Sequence, residues 1–113
     1  MKQGEIWIIN LNPTIGAEMQ KLRPVIIVND DALGKLPLKV IIPLTDWKVK
    51  FDIASWMIKI EPNKKNGLSK ISSADCFQIR SVSIDRFKNK LGRISIQQQE
   101  QIKLALKKVL TIE

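Results

Sequence analysis

The sequence predicts an α+β fold: a small, twisted antiparallel β-barrel closed by a C-terminal α-helix. Three observations predict it. Short apolar runs recur along most of the chain, each the length of a strand. Polar, Gly- or Pro-bearing loops separate them. Helical spacing of apolar residues appears only behind Ser95. At 113 residues the chain can bury one real core and not two, so residues 1–113 are read as a single domain.

The first strand spans Glu5 to Leu11, with Ile6 and Ile8 on one face and Trp7, Ile9 and Leu11 on the other. Asn12-Pro13-Thr14 breaks it, and a polar loop runs on to Leu22. Connections of that length in compact domains are often functional. The second strand centres on Val25-Ile26-Ile27-Val28, an unbroken apolar run that implies burial on both faces. Pro24 fits a strand start and biases Arg23 towards an extended backbone. A permanently charged guanidinium is thereby held at the edge of the core, facing a cleft.

A third strand covers Leu38 to Leu44, with Pro43 implying a strand end or a sheet edge. A fourth runs from Ala54 to Ile60. Glu61 to Gly67 is a turn region, and Leu68 to Ser73 is irregular. A fifth strand is expected over Ala74 to Ile79, setting Phe77 and Ile79 on one face and Cys76 and Gln78 on the other. Ser83 to Arg86 suits a short helical turn with Asp85 near its start. A brief sixth strand covers Lys90 to Ile94. Ser95-Ile96-Gln97-Gln98 is a capping box, and behind it Ile102, Ala105, Leu106, Val109 and Leu110 form a helical stripe suited to core or dimer packing.

Net charge is +8, with no histidine and a single cysteine. The charge favours a polyanionic partner: nucleic acid, an acidic protein or a membrane surface. Triads built on histidine, imidazole metal sites and internal disulfides are excluded. Cys76 sits in an apolar run and reads as a buried structural thiol. No apolar run approaches the roughly 20 residues that span a bilayer. The expectation is a cytoplasmic protein with no membrane partner and no cofactor.

Arg23, Thr45, the loop from Thr14 to Lys21 and Gln78-Ile79-Arg80 remain as candidates for chemistry. RNA carries its own nucleophile, the 2′-hydroxyl. A protein without histidine can cleave it by aligning the backbone, helping a proton to move and stabilising charge on the phosphorane. An arginine suits that last task, because its planar fork matches phosphate oxygens. Taken singly, each residue has a plainer reading. Arg23 would be a solvated strand-end arginine, Thr45 a turn cap, Gln78 a strand-surface residue and Trp47 a rim or core tryptophan.

The order of motifs is more specific. Gly4-Glu5-Ile6-Trp7, Leu11 to Glu18, Leu22-Arg23-Pro24-Val25-Ile26-Ile27-Val28, Ile42-Pro43-Leu44-Thr45 and Phe77-Gln78-Ile79-Arg80-Ser81 together resemble the MazF/PemK toxin family over nearly the whole chain. The resemblance implies an SH3-like barrel that forms a homodimer and cleaves single-stranded mRNA at short sequences. It implies no metal, 2′,3′-cyclic phosphate and 5′-hydroxyl ends, and an antitoxin whose acidic tail covers the RNA groove. Arg23 and Thr45 are implied at the scissile phosphate, with general-acid chemistry a second role for Arg23. Glu18, Gln20 and Gln78 fall where relatives contact bases or shape the pocket. Arg80 belongs to the last of these motifs, and Lys21 closes the polar loop that leads to Arg23. Trp47 and Lys48, just after Thr45, suit stacking and steering of a single strand.

The chain departs from the Kid-like branch. That branch has an arginine and an aspartate before its Gln-x-Arg motif and a histidine in the first loop. Here those places hold Asp75-Cys76-Phe77 and Ala17, which favours the Arg23–Thr45 set and leaves the general base open, with Glu18 a candidate. Two alternatives stand beside this reading: a CcdB-like toxin that binds DNA gyrase, and a non-catalytic barrel that binds nucleic acid or protein. Retention of Arg23 and Thr45 argues against the first.

Overall fold

The computed structural model describes residues 1–11 and 22–113. They form strands β1 (Glu5–Asn10), β2 (Leu22–Ile27), β3 (Leu38–Asp46), β4 (Met57–Ile60), β5 (Ser72–Asp75), β6 (Arg80–Ser83) and β7 (Phe87–Arg93), and helix α1 (Ile96–Leu110). Every ladder is antiparallel, in the order β4-β5-β3-β2-β1-β7, with β6 also on β3. This is the expected α+β architecture, a twisted, barrel-like antiparallel sheet with one terminal helix.

β3 organises the sheet, because it alone pairs with three strands. One edge meets β2 through Val25↔Pro43, Ile26↔Ile42 and Ile27↔Ile41. The other edge meets β6 from Leu38 to Ile41 and then β5 from Leu44 to Asp46. Pro43 therefore corrects an expectation. It neither ends the strand nor lies on an outer edge, but is buried in the middle of β3. It sits in the gap between two partners, where a residue without an N–H is tolerated.

The expected fifth strand is also corrected. β5 begins earlier, at Ser72, and stops at Asp75, and Cys76–Gln78 form a 3-10 turn. The Asp75 carboxylate accepts a hydrogen bond from the Phe77 amide at 3.1 Å, capping that turn and taking the chain out of the ladder. Phe77 points outward, 68% exposed, while Cys76 is wholly buried. The chain then returns to β3 as β6, a strand the sequence reading did not contain. The fourth strand is shorter than expected, starting at Met57, because Ala54 to Met57 form a turn in which the Met57 amide donates to the Ala54 carbonyl at 3.0 Å. The last strand starts earlier than expected, at Phe87. The helical turn after Ser83 is present, with the Ser83 hydroxyl accepting from the Asp85 amide.

Two apolar clusters follow from strand alternation. Ile6, Ile26, Ile42, Leu44, Ile60 and Ala74 face Ile94, Ile102 and Ala105 beneath the helix. Ile9, Leu11, Val25, Ile27, Ile41 and Val82 gather on the other side with Trp7 and Phe87. The run Val25-Ile26-Ile27 is thus buried on both faces, as its unbroken apolar character predicted. In α1 the capping box is complete: the Gln98 amide donates to the Ser95 hydroxyl and the Ser95 amide to Gln98 Oε1, both at 3.1 Å. Leu106 and Val109 are half-buried, but Leu110 departs from the expected stripe and is exposed. No helix among the described residues is long and apolar enough to cross a membrane.

Two polar anchors hold the sheet ends. Buried Asn66 accepts from the amides of Asn63 and Leu68 and donates to the Glu61 carbonyl, closing the turn after β4. Gly92 passes so close that a Cβ there would meet the backbone of Lys65 and Asn66. Glu5 accepts from Trp7 Nε1 at 2.9 Å and from the Lys2 amide at 3.0 Å, and pairs with Lys90 at 3.0 Å. Burial alone would raise its pKa. The bonds from Trp7, Lys2 and Lys90, with the N-terminal charge, outweigh that and lower it to about 2.

Candidate functional site

Pro24 starts the buried run of β2, so Arg23 stands at its mouth, opposite Ile9 of β1. Arg23 alternates with Val25 and Ile27, which puts it on the second-cluster face and away from the helix. Its side chain is half-buried. Its Nε is shielded from solvent and has no hydrogen-bond partner among the described residues. Buried donors are nearly always paired, because an unpaired one costs about 1–3 kcal/mol.

Thr45 lies on the same face, two residues beyond Pro43. The β2–β3 ladder pairs Val25 with Pro43, and continuing that register by two residues sets Thr45 opposite Arg23. On its far side Thr45 pairs with Ser73, and Ser73 pairs with Lys59 of β4. Directly paired residues share a face. The sheet therefore presents a transverse row, Arg23–Thr45–Ser73–Lys59, with a cation at each end and two hydroxyls between. The Ser73 hydroxyl is buried and donates to Met57 Sδ at 3.1 Å, leaving half-buried Thr45 as the more accessible hydroxyl.

Trp47 adjoins the Lys59 end of the row. Its amide donates to the Ile71 carbonyl, its ring meets Phe51 edge-on at 5.9 Å, and Lys59 Nζ stands 5.3 Å from its centroid. A cation over an indole face is favourable. Lys48 is exposed at the start of the next 3-10 turn. Further along the same edge of β3, Gln78 Nε2 donates to Asp75 Oδ2 at 3.1 Å, and Arg80 opens β6 opposite Ile41. The expectation that Cys76 and Gln78 share a strand face fails: Cys76 goes to the core and Gln78 turns to the Asp75 carboxylate. Glu18, Gln20 and Lys21 lie outside the described residues.

Lys59, Ser73 and Asp75 were missed from sequence. Lys59 carried a signal, being the lone charge in Met57-Ile58-Lys59-Ile60. Cys76 is wholly buried; burial, and then the Asp75 charge, raise its thiol pKa to about 12, so thiolate chemistry is not available to it. Among the described residues no three His, Cys, Asp or Glu side chains gather as a metal-binding group.

With this geometry in place, the comparison with known proteins is decisive. A family model described as PemK-like, MazF-like toxin of type II toxin–antitoxin system matches residues 2–110. The chain belongs to that family. The endoribonuclease MazF9 of Mycobacterium tuberculosis is 27% identical over 113 residues, covering 95% of this chain and 93% of the relative. The endoribonuclease MazF of Staphylococcus saprophyticus is 27% identical over 106 residues, covering 94% and 88%. The endoribonuclease PemK of Escherichia coli is 46% identical, but only over 46 residues, 40% of this chain and 35% of the relative.

Among solved structures, MazF from Deinococcus radiodurans superposes with a TM-score of 0.82 at 18% identity, covering 99% of this chain and 97% of that one. An endoribonuclease in complex with its cognate antitoxin from a mycobacterial species gives 0.79 at 17% identity, covering 100% and 97%. At such identities these likenesses speak for the fold, which is that of MazF.

Proposed function

We propose that residues 1–113 act as a single-domain toxin, a sequence-selective endoribonuclease that cleaves single-stranded mRNA without a metal ion. The observation that carries this reading is the Arg23–Thr45 relationship. A guanidinium whose Nε lacks a partner among the described residues shares a face, and by continued register a row, with an accessible hydroxyl. A phosphate with its non-bridging oxygens at the half-buried Arg23 guanidinium would receive charge-assisted hydrogen bonds.

The reaction follows from the substrate. The 2′-oxygen attacks the adjacent phosphorus and loses its proton, the bond from phosphorus to the 5′-oxygen breaks, and the leaving oxygen gains a proton. The products carry a 2′,3′-cyclic phosphate and a 5′-hydroxyl. Arg23 stabilises the charge that develops on the phosphorane, where fixed donors count most. Thr45 hydrogen-bonds a phosphate oxygen and holds it in line. Lys59 and Lys48 steer the neighbouring backbone, and Trp47 offers an aromatic surface nearby. Glu18, Gln20, Lys21, Gln78 and Arg80 complete the RNA-binding set in this reading, and the resemblance to relatives supports their roles.

The same basic surface suits an acidic antitoxin, given the net charge of +8. Relatives have been solved with their antitoxins, including MazE–MazF from Deinococcus radiodurans. Family membership supports a homodimer and a cytoplasmic site of action.

Primer extension across a long single-stranded transcript, incubated with the purified protein and EDTA, tests the reading. Cleavage at a small set of recurring short sequences is expected. An uncut transcript, with tight binding of DNA gyrase instead, would favour the CcdB-like alternative.

A further inference from the structure

The side chain of Gln78 is locked in one orientation. Asp75 is almost wholly buried, and its two oxygens are both occupied: Oδ1 accepts from the Phe77 amide and Oδ2 from Gln78 Nε2, each at 3.1 Å. A carboxylate offers acceptors only, so the reversed amide would set two oxygens face to face. Gln78 therefore keeps its nitrogen inward and its Oε1 free of the pair. Among the described residues no donor meets that oxygen.

The pair also sits in the right place. Asp75 alternates with Ser73 and so lies on the face of Thr45. Gln78 ends the 3-10 turn that joins β5 to β6, and both of those strands lie on the same edge of β3. The turn thus spans the gap at Pro43, one step along the sheet from the Arg23–Thr45 row.

We propose that Gln78 reads the substrate as a fixed acceptor, selecting at one position of the cleavage site a base that bears an exocyclic amine, with Asp75 as the positioning residue. This rests on the endoribonuclease reading and adds to it the chemistry of one specificity contact. Adenine, cytosine and guanine each offer an amine to an amide oxygen; uracil offers only an N–H between two carbonyls, and these repel an oxygen whose own amide N–H is turned to Asp75. A free glutamine would rotate, accepting from an amine edge or donating to a carbonyl edge. The locked one does not, and a site built for a hydrogen bond rejects an analogue that lacks the donor.

The test uses oligoribonucleotides carrying the mapped cut site. At each position in turn, the amine-bearing base is replaced by its amine-free analogue: purine riboside for adenosine, inosine for guanosine, zebularine for cytidine. The readout is the ratio of kcat/KM for parent and analogue, which does not depend on how active a variant is. The wild-type protein should lose at least about tenfold at one position. In Asp75→Asn the side-chain oxygen stays on the Phe77 amide and the NH2 faces Gln78, so Gln78 turns its oxygen inward, and the ratio at that position should fall to within about threefold. Gln78→Leu has no acceptor and should do the same; it decides the matter if Asp75→Asn does not fold. Equal cleavage of all analogues by the wild type, or full discrimination kept in both variants, overturns the proposal while leaving the nuclease reading intact. Failure to cut any RNA overturns the nuclease reading itself.

Discussion

Thr45 stands opposite Arg23 when the β2–β3 register is continued from its Val25–Pro43 pair. The relationship depends on Pro43. A proline there lets β3 exchange β6 for β5 without wasting a ladder donor, and so lets the strand run on to Thr45. Sheet geometry then aligns a hydroxyl with a guanidinium from separate strands. Strands position side chains more rigidly than loops do.

Thr45→Val keeps the β-branched shape that the strand favours and removes only the hydroxyl. Cleavage should fall about tenfold in kcat, the loss of one phosphate hydrogen bond. Thermal unfolding should barely move. Steady-state kinetics beside a melting curve check both, and an unchanged kcat would remove Thr45 from the site.

Glu5 makes stability depend on pH. Its folded-state pKa of about 2 lies below its ordinary value of 4.5. The ionised carboxylate therefore stabilises the fold above about pH 4.5, and this contribution is lost as pH falls towards 2. Glu5→Gln should cost about 1–3 kcal/mol at pH 7, since Glu5 is the partner of both Trp7 and Lys90. Urea unfolding of both proteins across that range should show the two stabilities converging at the acid end. A constant difference would mean that Glu5 acts through packing alone.

Cys76 should be chemically silent. The wholly buried thiol, with its pKa raised to about 12, should resist iodoacetamide in the native protein and react only after unfolding. Cys76→Ala should cleave at the same sequences. Rapid native alkylation, or loss of cleavage on alkylation, would contradict the structural role.

Features that depend on neighbouring residues were legible in the sequence. The run Val25-Ile26-Ile27 announced a strand buried on both faces, and Ser95 with Gln98 announced the start of α1. Where a polar side chain overrides an apolar pattern, the sequence misled. Ala74 to Ile79 looks like one strand, yet the Asp75 carboxylate caps a turn, expels Phe77 and creates β6. Pro43 misled for the opposite reason, because its tolerance comes from a gap that only the sheet defines. The candidate site divides the same way. Arg23 and Thr45 came from motifs that resemble a known family. The row that adds Ser73 and Lys59 is a matter of strand register, which local sequence does not encode.

The central claim is that Arg23 acts on the scissile phosphate. Arg23→Ala should be compared with the wild-type protein on a single-stranded RNA carrying one mapped cut site, in EDTA, with the product ends identified by mass spectrometry. The wild type should yield 2′,3′-cyclic phosphate and 5′-hydroxyl ends. The variant should keep its far-UV circular dichroism and lose about 100- to 1,000-fold in rate, as removal of a transition-state donor does. A folded Arg23→Ala protein that cuts the same bond at an undiminished rate would contradict the account.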